Sequence, residues 1–163
     1  MRRRHLGIPG ASEVKKARLV ASGFGIGGIP VAPGTAASAL ALALGAGLLG
    51  AGRPALATAA VTASLGGSAA LPAARVEGDP GWVVIDEIAG QWITLLGLQR
   101  PTLAGLVAAF GLFRLLDITK LGPIGWADRQ GGIFGIMADD LIAGAFAAAL
   151  LWAIRRRWPS LLA

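Results

Sequence analysis

Five apolar segments, at about 36–51, 54–74, 87–99, 102–116 and 141–154, take up most of this chain. Gly52-Arg53-Pro54 and Arg100-Pro101 mark turns between them, and longer polar stretches separate the rest. Such segments suit a lipid solvent better than water. Hydrophobic residues make up 55% of the 163 positions, 25 more are glycine, and the mean hydropathy is +0.66. In lipid the backbone must satisfy its own hydrogen bonds, and no strand-like alternation is present, so the segments are read as helices. They run from 13 to 21 residues, against ~20 for a full crossing, so some are short or tilted. The expectation is an all-α, membrane-embedded, compact bundle of about four to five apolar helices, with its active site built from the loops between them. It forms one domain over 22–155, after a basic segment at 1–21 and before a tail at 156–163.

The charge balance is +6 with a pI near 11.3. The cations are scattered between apolar segments, with clusters at Arg2-Arg3-Arg4 and Arg155-Arg156-Arg157. In such a chain they set topology and meet anionic lipid headgroups, and no nucleic-acid partner is expected. Glu13, Lys15, Lys16 and Arg18 interrupt any apolar core of a cleavable signal peptide.

The nine acidic residues carry the information about chemistry. Asp86-Glu87, Asp117 and Asp139-Asp140 lie where apolar segments meet polar ones, and Asp128 lies within the stretch 117–140. An ionisable group at a membrane boundary is costly unless paired, and marks function by default. Oxygen-rich clusters suit Mg²⁺, Mn²⁺ or Ca²⁺. Arg114, Asp117 and Lys120 follow at i, i+3 and i+6, along one side of a helix. That row is either a local ion-pair ladder or a carboxylate on a metal with cations waiting for phosphate oxygens.

The segment 22–35 is rich in glycine and proline. Gly23, Gly25 and Gly28 match a dinucleotide fingerprint, but Pro30 and Pro33 stand where that motif needs a helix, so the match is rejected. The better account leads through Pro33-Gly34-Thr35 into a helix capped by Thr35, with free amides facing an anion. Elimination narrows the reaction. Cysteine is absent, which removes disulfides, zinc thiolates and a thiol nucleophile. His5, the one histidine, sits in the basic tail and is read as incidental. No Asp-x-Asp signature of an aspartyl nucleophile occurs, which leaves water activated by a carboxylate-held metal.

Three stretches then stand together. They are Gly23-Phe24-Gly25 to Pro33-Gly34-Thr35-Ala36-Ala37-Ser38; Val84-Ile85-Asp86-Glu87-Ile88-Ala89-Gly90-Gln91-Trp92; and Phe113-Arg114-Leu115-Leu116-Asp117-Ile118-Thr119-Lys120 through Asp128-Arg129 and Gly131-Gly132 to Asp139-Asp140. Over about residues 18–155 they resemble the phosphatidylglycerophosphatase A family. Ala37 departs from a glycine common in the family, and Leu121-Gly122 from a proline that often follows the lysine. The resemblance implies a multi-pass enzyme of the bacterial inner membrane. It would use Mg²⁺ to remove the terminal phosphate of phosphatidylglycerophosphate, giving phosphatidylglycerol. Asp86, Glu87, Asp117, Asp139 and Asp140 would hold one or two Mg²⁺. Asp86, Glu87, Asp117, Asp140 and Lys120 would be catalytic. Gly34, Thr35, Ser38, Arg114, Lys120 and Arg129 would receive the phosphate. A membrane transporter for divalent cations would use the same acids but leaves the glycine-rich loop unexplained. A lipid synthase would need a spaced Asp-Gly and Ala-Arg pattern that is absent.

One site requires the stretches 22–35, 75–87 and 117–140 on one membrane face. The excess of Lys and Arg there makes that face cytoplasmic. The last segment, at 14 residues, is expected to stop short of a full crossing.

Overall fold

The computed structural model describes residues 9–162; Arg2, Arg3, Arg4 and His5 lie outside the described residues. The fold is all-helical: α1 (Ala11–Ala21), a 3-10 turn (Ile26–Gly28), α2 (Pro33–Ala51), α3 (Arg53–Ala73), α4 (Ile85–Leu95), α5 (Leu103–Thr119), α6 (Pro123–Asp128), α7 (Gly132–Arg157) and a closing 3-10 turn (Pro159–Leu161).

Among the described residues, α2, α3 and α7 are long and apolar enough to cross a membrane. Their outward side chains agree with that. Leu44, Val61, Leu65, Phe146 and Leu150 are exposed on α2, α3 and α7, as side chains turned toward lipid would be. Several boundaries differ from the sequence reading. The last helix has 26 residues, ~39 Å of rise, so it is long enough for a full crossing where 14 residues were expected, and it carries Arg155 to Arg157 to the end away from the acids. The third apolar segment yields only the 11 residues of α4, ~16 Å and too short to cross. The stretch expected as polar loop at 117–140 is mostly helix, with α5 running on to Thr119, α6 inserted, and α7 starting at Gly132. The acids therefore project from helices rather than from loops.

The short α4 is the centre of the bundle. Ile88, Ala89, Gly90, Gln91, Thr94 and Leu95 are all buried, and α2, α3, α5 and α7 pack around it. Near the acids the core is Ala37, Ala41, Leu71, Val84, Ile85, Ile88, Ala89, Ile136 and Met137. At the other end it is Leu49, Leu56, Leu95, Leu98, Ala109 and Leu151. Trp92 Nε1 donates to Ala41 O at 2.8 Å and ties α4 to α2. Val84 N donates to Ala21 O at 3.0 Å and ties the start of α4 to the end of α1. Arg53 Nη2 donates to Leu96 O at 2.9 Å and closes the far end.

The crossing of α4 and α7 decides where the acids go. A Cβ on Gly90 would lie 2.6 Å from the Asp140 carbonyl oxygen and 2.6 Å from the Phe113 ring, and one on Gly144 would run into the Gly90 backbone. Two glycines thus let the helices touch backbone to backbone, the small-residue packing favoured where no hydrophobic effect drives association.

Candidate active site

Asp86 and Glu87 occupy the first turn of α4, where unpaired amides and the helix dipole favour negative charge. Asp86 Oδ1 accepts from the Glu87 amide at 3.0 Å. Asp139 and Asp140 lie two turns into α7, and Asp139 Oδ1 accepts from the Asp140 amide at 2.9 Å. Because the Gly90–Gly144 crossing lies one turn further along each helix, Asp140 is brought against Asp86 and Glu87. One carboxylate oxygen from each of these three residues lies within 4.8 Å of the other two. Asp86 and Asp140 are buried, and Glu87 is half-buried. Burial pushes the Asp86 carboxyl up to about 6, against the hydrogen bonds from Glu87 that hold it down. Glu87 is pushed well up by burial and by the neighbouring Asp86 charge. Its Oε2 is buried with no hydrogen-bond partner.

Gly34 makes room for this arrangement. A Cβ there would collide with the Glu87 carboxylate, so close approach accounts for the glycine. Thr35 is not the helix cap. Helix α2 begins at Pro33 in the N1/N2 region, and its N-cap is Ala32, held left-handed at φ 48°, ψ 55°. Proline's fixed φ suits the first helical position, which leaves Thr35 inside the first turn. Its hydroxyl accepts instead from Arg114 Nη2 at 3.2 Å. Arg114 Nη1 reaches Ser38 Oγ at 3.5 Å and also pairs with Asp117. The Ser38 hydroxyl donates to Gly34 O at 2.8 Å. One guanidinium thus joins α5 to the start of α2 beside Glu87.

Lys120 does not continue the row of Arg114 and Asp117. It is the C-cap of α5, left-handed at φ 46°, and its ammonium pairs with Asp128 and, at 2.8 Å, with Asp139. Burial pulls that ammonium down, but the two carboxylates outweigh it and hold it charged above the usual lysine range. The sequence-expected residues therefore fall into three groups. Asp86, Glu87 and Asp140 form a carboxylate cluster; Arg114 and Asp117 flank it with Gly34, Thr35 and Ser38; Lys120 pairs with Asp128 and with Asp139, the neighbour of Asp140. Arg129 is exposed at the end of α6 and forms no salt bridge among the described residues. Asp128, not expected in the site, anchors Lys120. It stands just before Gly131-Gly132, in a stretch that reads as loop, and that hides its role in the sequence.

Three oxygen-only ligands within 4.8 Å, one with an orphaned buried oxygen, fit a hard divalent cation. Two flanking cations, each already held by a carboxylate, fit a phosphate that competes for them. Residues 19–155 match the family described as Phosphatidylglycerophosphatase A. The chain belongs to the phosphatidylglycerophosphatase A family. It is 45% identical over 83 residues to phosphatidylglycerophosphatase A of Escherichia coli, covering 50% of this chain and 48% of that protein. Against the Haemophilus influenzae protein of the same name it is 39% identical over 79 residues, covering 47% and 48%. Each of these alignments spans about half the relative's length. A putative phosphatidylinositol-3-phosphatase of Bacteroides thetaiotaomicron matches over more of its length, 36% identical over 143 residues, or 82% of this chain and 89% of that protein. No solved structure matches the chain. None of these three relatives is named as a transporter.

Proposed function

We propose that this chain hydrolyses the phosphate monoester of a membrane lipid, phosphatidylglycerophosphate first, and that it needs Mg²⁺ to do so. The observation that carries the reading is the buried Asp86–Glu87–Asp140 cluster, flanked by Arg114 and Lys120, in a chain of this family. A divalent cation held by those three carboxylates would polarise the phosphoryl oxygens and activate a water as nucleophile. The chain's own residues do the rest. Arg114, positioned by Thr35 and Ser38, offers its guanidinium to the phosphoryl oxygens in exchange for Asp117. Lys120 stays charged and adds a second positive charge, while Asp139 and Asp128 hold it in place. The amides of the first turn of α2, at Gly34 and Thr35, add fixed dipoles. Phosphoryl transfer asks little more than this positioning and charge stabilisation. Arg129 is assigned to the incoming headgroup only, at the rim.

The lipid enters from the bilayer crossed by α2, α3 and α7. The acid-bearing end carries Lys15, Lys16, Arg18, Arg75, Arg114, Lys120 and Arg129, against Arg53, Arg100 and Arg155 to Arg157 at the other, and we place it on the cytoplasmic face of a bacterial inner membrane. The name of the Bacteroides relative, which aligns over most of both chains, favours a second substrate, a phosphorylated inositol lipid. The test is phosphate release by purified protein from both lipids, in EDTA and after Mg²⁺ or Mn²⁺ is restored. Activity is expected to vanish in chelator and to return with the cation. Full activity in EDTA would remove the metal from the reading, and no release from either lipid would remove the phosphatase.

A further inference from the structure

Gln91 is fully buried, and neither its amide oxygen nor its amide nitrogen has a hydrogen-bond partner. An unpaired buried amide costs ~1–3 kcal/mol, and most such groups in folded proteins are paired. Its position on α4 explains what it is for. Gln91 follows Glu87 at i+4, so the two lie on one helix face, and helical side chains lean toward the N-terminus, which carries the Gln91 amide toward Glu87. The Glu87 Oε2 atom is the complementary orphan, buried and unpartnered. One group has NH₂ donors and the other accepts only.

Two hydroxyls on α2 and α4 are committed elsewhere. Thr94, three residues on, donates to Gly90 O at 2.9 Å. Ser38, one turn along α2 as Gln91 is one turn along α4, donates to Gly34 O. Glu87 Oε1 is packed against Gly34, which limits how the carboxylate can turn and leaves its other oxygen for Gln91.

We propose that Gln91 is a positioning residue: when the cation is bound, its amide donates to Glu87 and fixes that carboxylate's orientation toward the cation it shares with Asp86 and Asp140, a bond that is not formed in the cation-free fold. The proposal extends the metal-dependent reading above. It also accounts for a polar residue kept where an apolar one would pack at no electrostatic cost. Partners of this kind, behind the ligands themselves, typically change metal affinity or activity about 10- to 100-fold when removed.

The test uses Gln91→Leu and Gln91→Met in the full-length, detergent-purified protein; methionine keeps the unbranched length should leucine fail to fold. Thermal unfolding is followed in EDTA and then across a Mg²⁺ and a Mn²⁺ titration, with phosphate release measured alongside. In EDTA the variants are expected to be at least as stable as the parent, because an unpaired amide has been replaced by an apolar group. The cation concentration needed to raise the unfolding temperature should rise about 10- to 100-fold, and turnover should fall by a similar factor. A role in packing alone gives the reverse, lower stability in EDTA and unchanged cation affinity, and that result overturns the proposal. So does a parent protein whose unfolding ignores both cations. A parent that binds cation but releases phosphate from no lipid would refute the phosphatase reading, while the titration still decides Gln91.

Discussion

Replacing Gly90 by alanine asks whether the α4–α7 crossing is what assembles the acids. The added methyl would lie 2.6 Å from the Asp140 carbonyl oxygen and 2.6 Å from the Phe113 ring, where carbon contacts are comfortable from about 3.5 Å. Phe113 is fully buried and cannot retreat, and the Asp140 carbonyl is main chain. The helices must therefore part by about 0.9 Å, taking Asp140 away from Asp86 and Glu87. Overpacking of this kind costs about 1–3 kcal/mol. A displacement near 1 Å at a reacting centre lowers turnover by about 100-fold. Gly111→Ala on α5 is the control, since nothing lies within 4 Å of its added Cβ. There alanine removes only glycine's entropic penalty, so stability should rise by about 0.5–1 kcal/mol with turnover unchanged. Unfolding followed by tryptophan fluorescence gives the stabilities, and phosphate release gives the turnover. If Gly90→Ala matched Gly111→Ala in both measurements, the crossing would not be what sets the site.

Two further outcomes follow from the carboxylates. Asp86→Asn, Glu87→Gln, Asp117→Asn and Asp140→Asn keep size and remove charge, and each should lower phosphate release at least ~100-fold; near-normal turnover in any two would move the site elsewhere. The Asp86 carboxyl, raised by burial from 3.8 to about 6, favours the folded state when protonated. Its contribution, on the order of 3 kcal/mol, is fully present below pH 3.8 and is lost as pH rises through 6. Metal-free protein should therefore be more stable near pH 4.5 than at pH 7. The cation needs the ionised form, so its binding should weaken as pH falls below about 6. Calorimetry or fluorescence melts in EDTA against pH, repeated with Mg²⁺, would show both slopes; a cation affinity flat from pH 5 to 8 would contradict them.

Sequence is a good guide where punctuation coincides with chain reversal. Gly52-Arg53-Pro54 and Arg100-Pro101 end segments because charge and proline stop apolar helices, and α2, α3 and the start of α5 fall where those signals stand. It misleads where charge is paired. Arg114 with Asp117, and Lys120 with Asp139, neutralise each other inside the fold, so a stretch that reads as polar loop is the end of α5 and the first two turns of α7. The six residues of α6 are too few to show a period. The acids themselves are legible as a set, from their rarity in an apolar chain. Which three converge is not, because that depends on Gly90 and Gly144, residues without a side chain to read. A hydroxyl after Pro-Gly invites the reading of Thr35 as a cap, whereas proline itself occupies the first helical positions.

Depth is the last consequence of the helical placement of the acids. Asp140 stands eight residues beyond Gly132, the first residue of α7, or ~12 Å below the helix end, with α6 packed beside that end. Under the proposed phosphatase reading, the phosphate has to descend beside that end to meet Asp140, which favours an ester that carries its phosphate on a slender stalk. A polyol headgroup carries its phosphate at the tip of such a stalk. A phosphorylated serine on a folded protein does not, since its phosphate stands close against the main chain. On that reading, reach would sort esters before any contact with their alcohol is made.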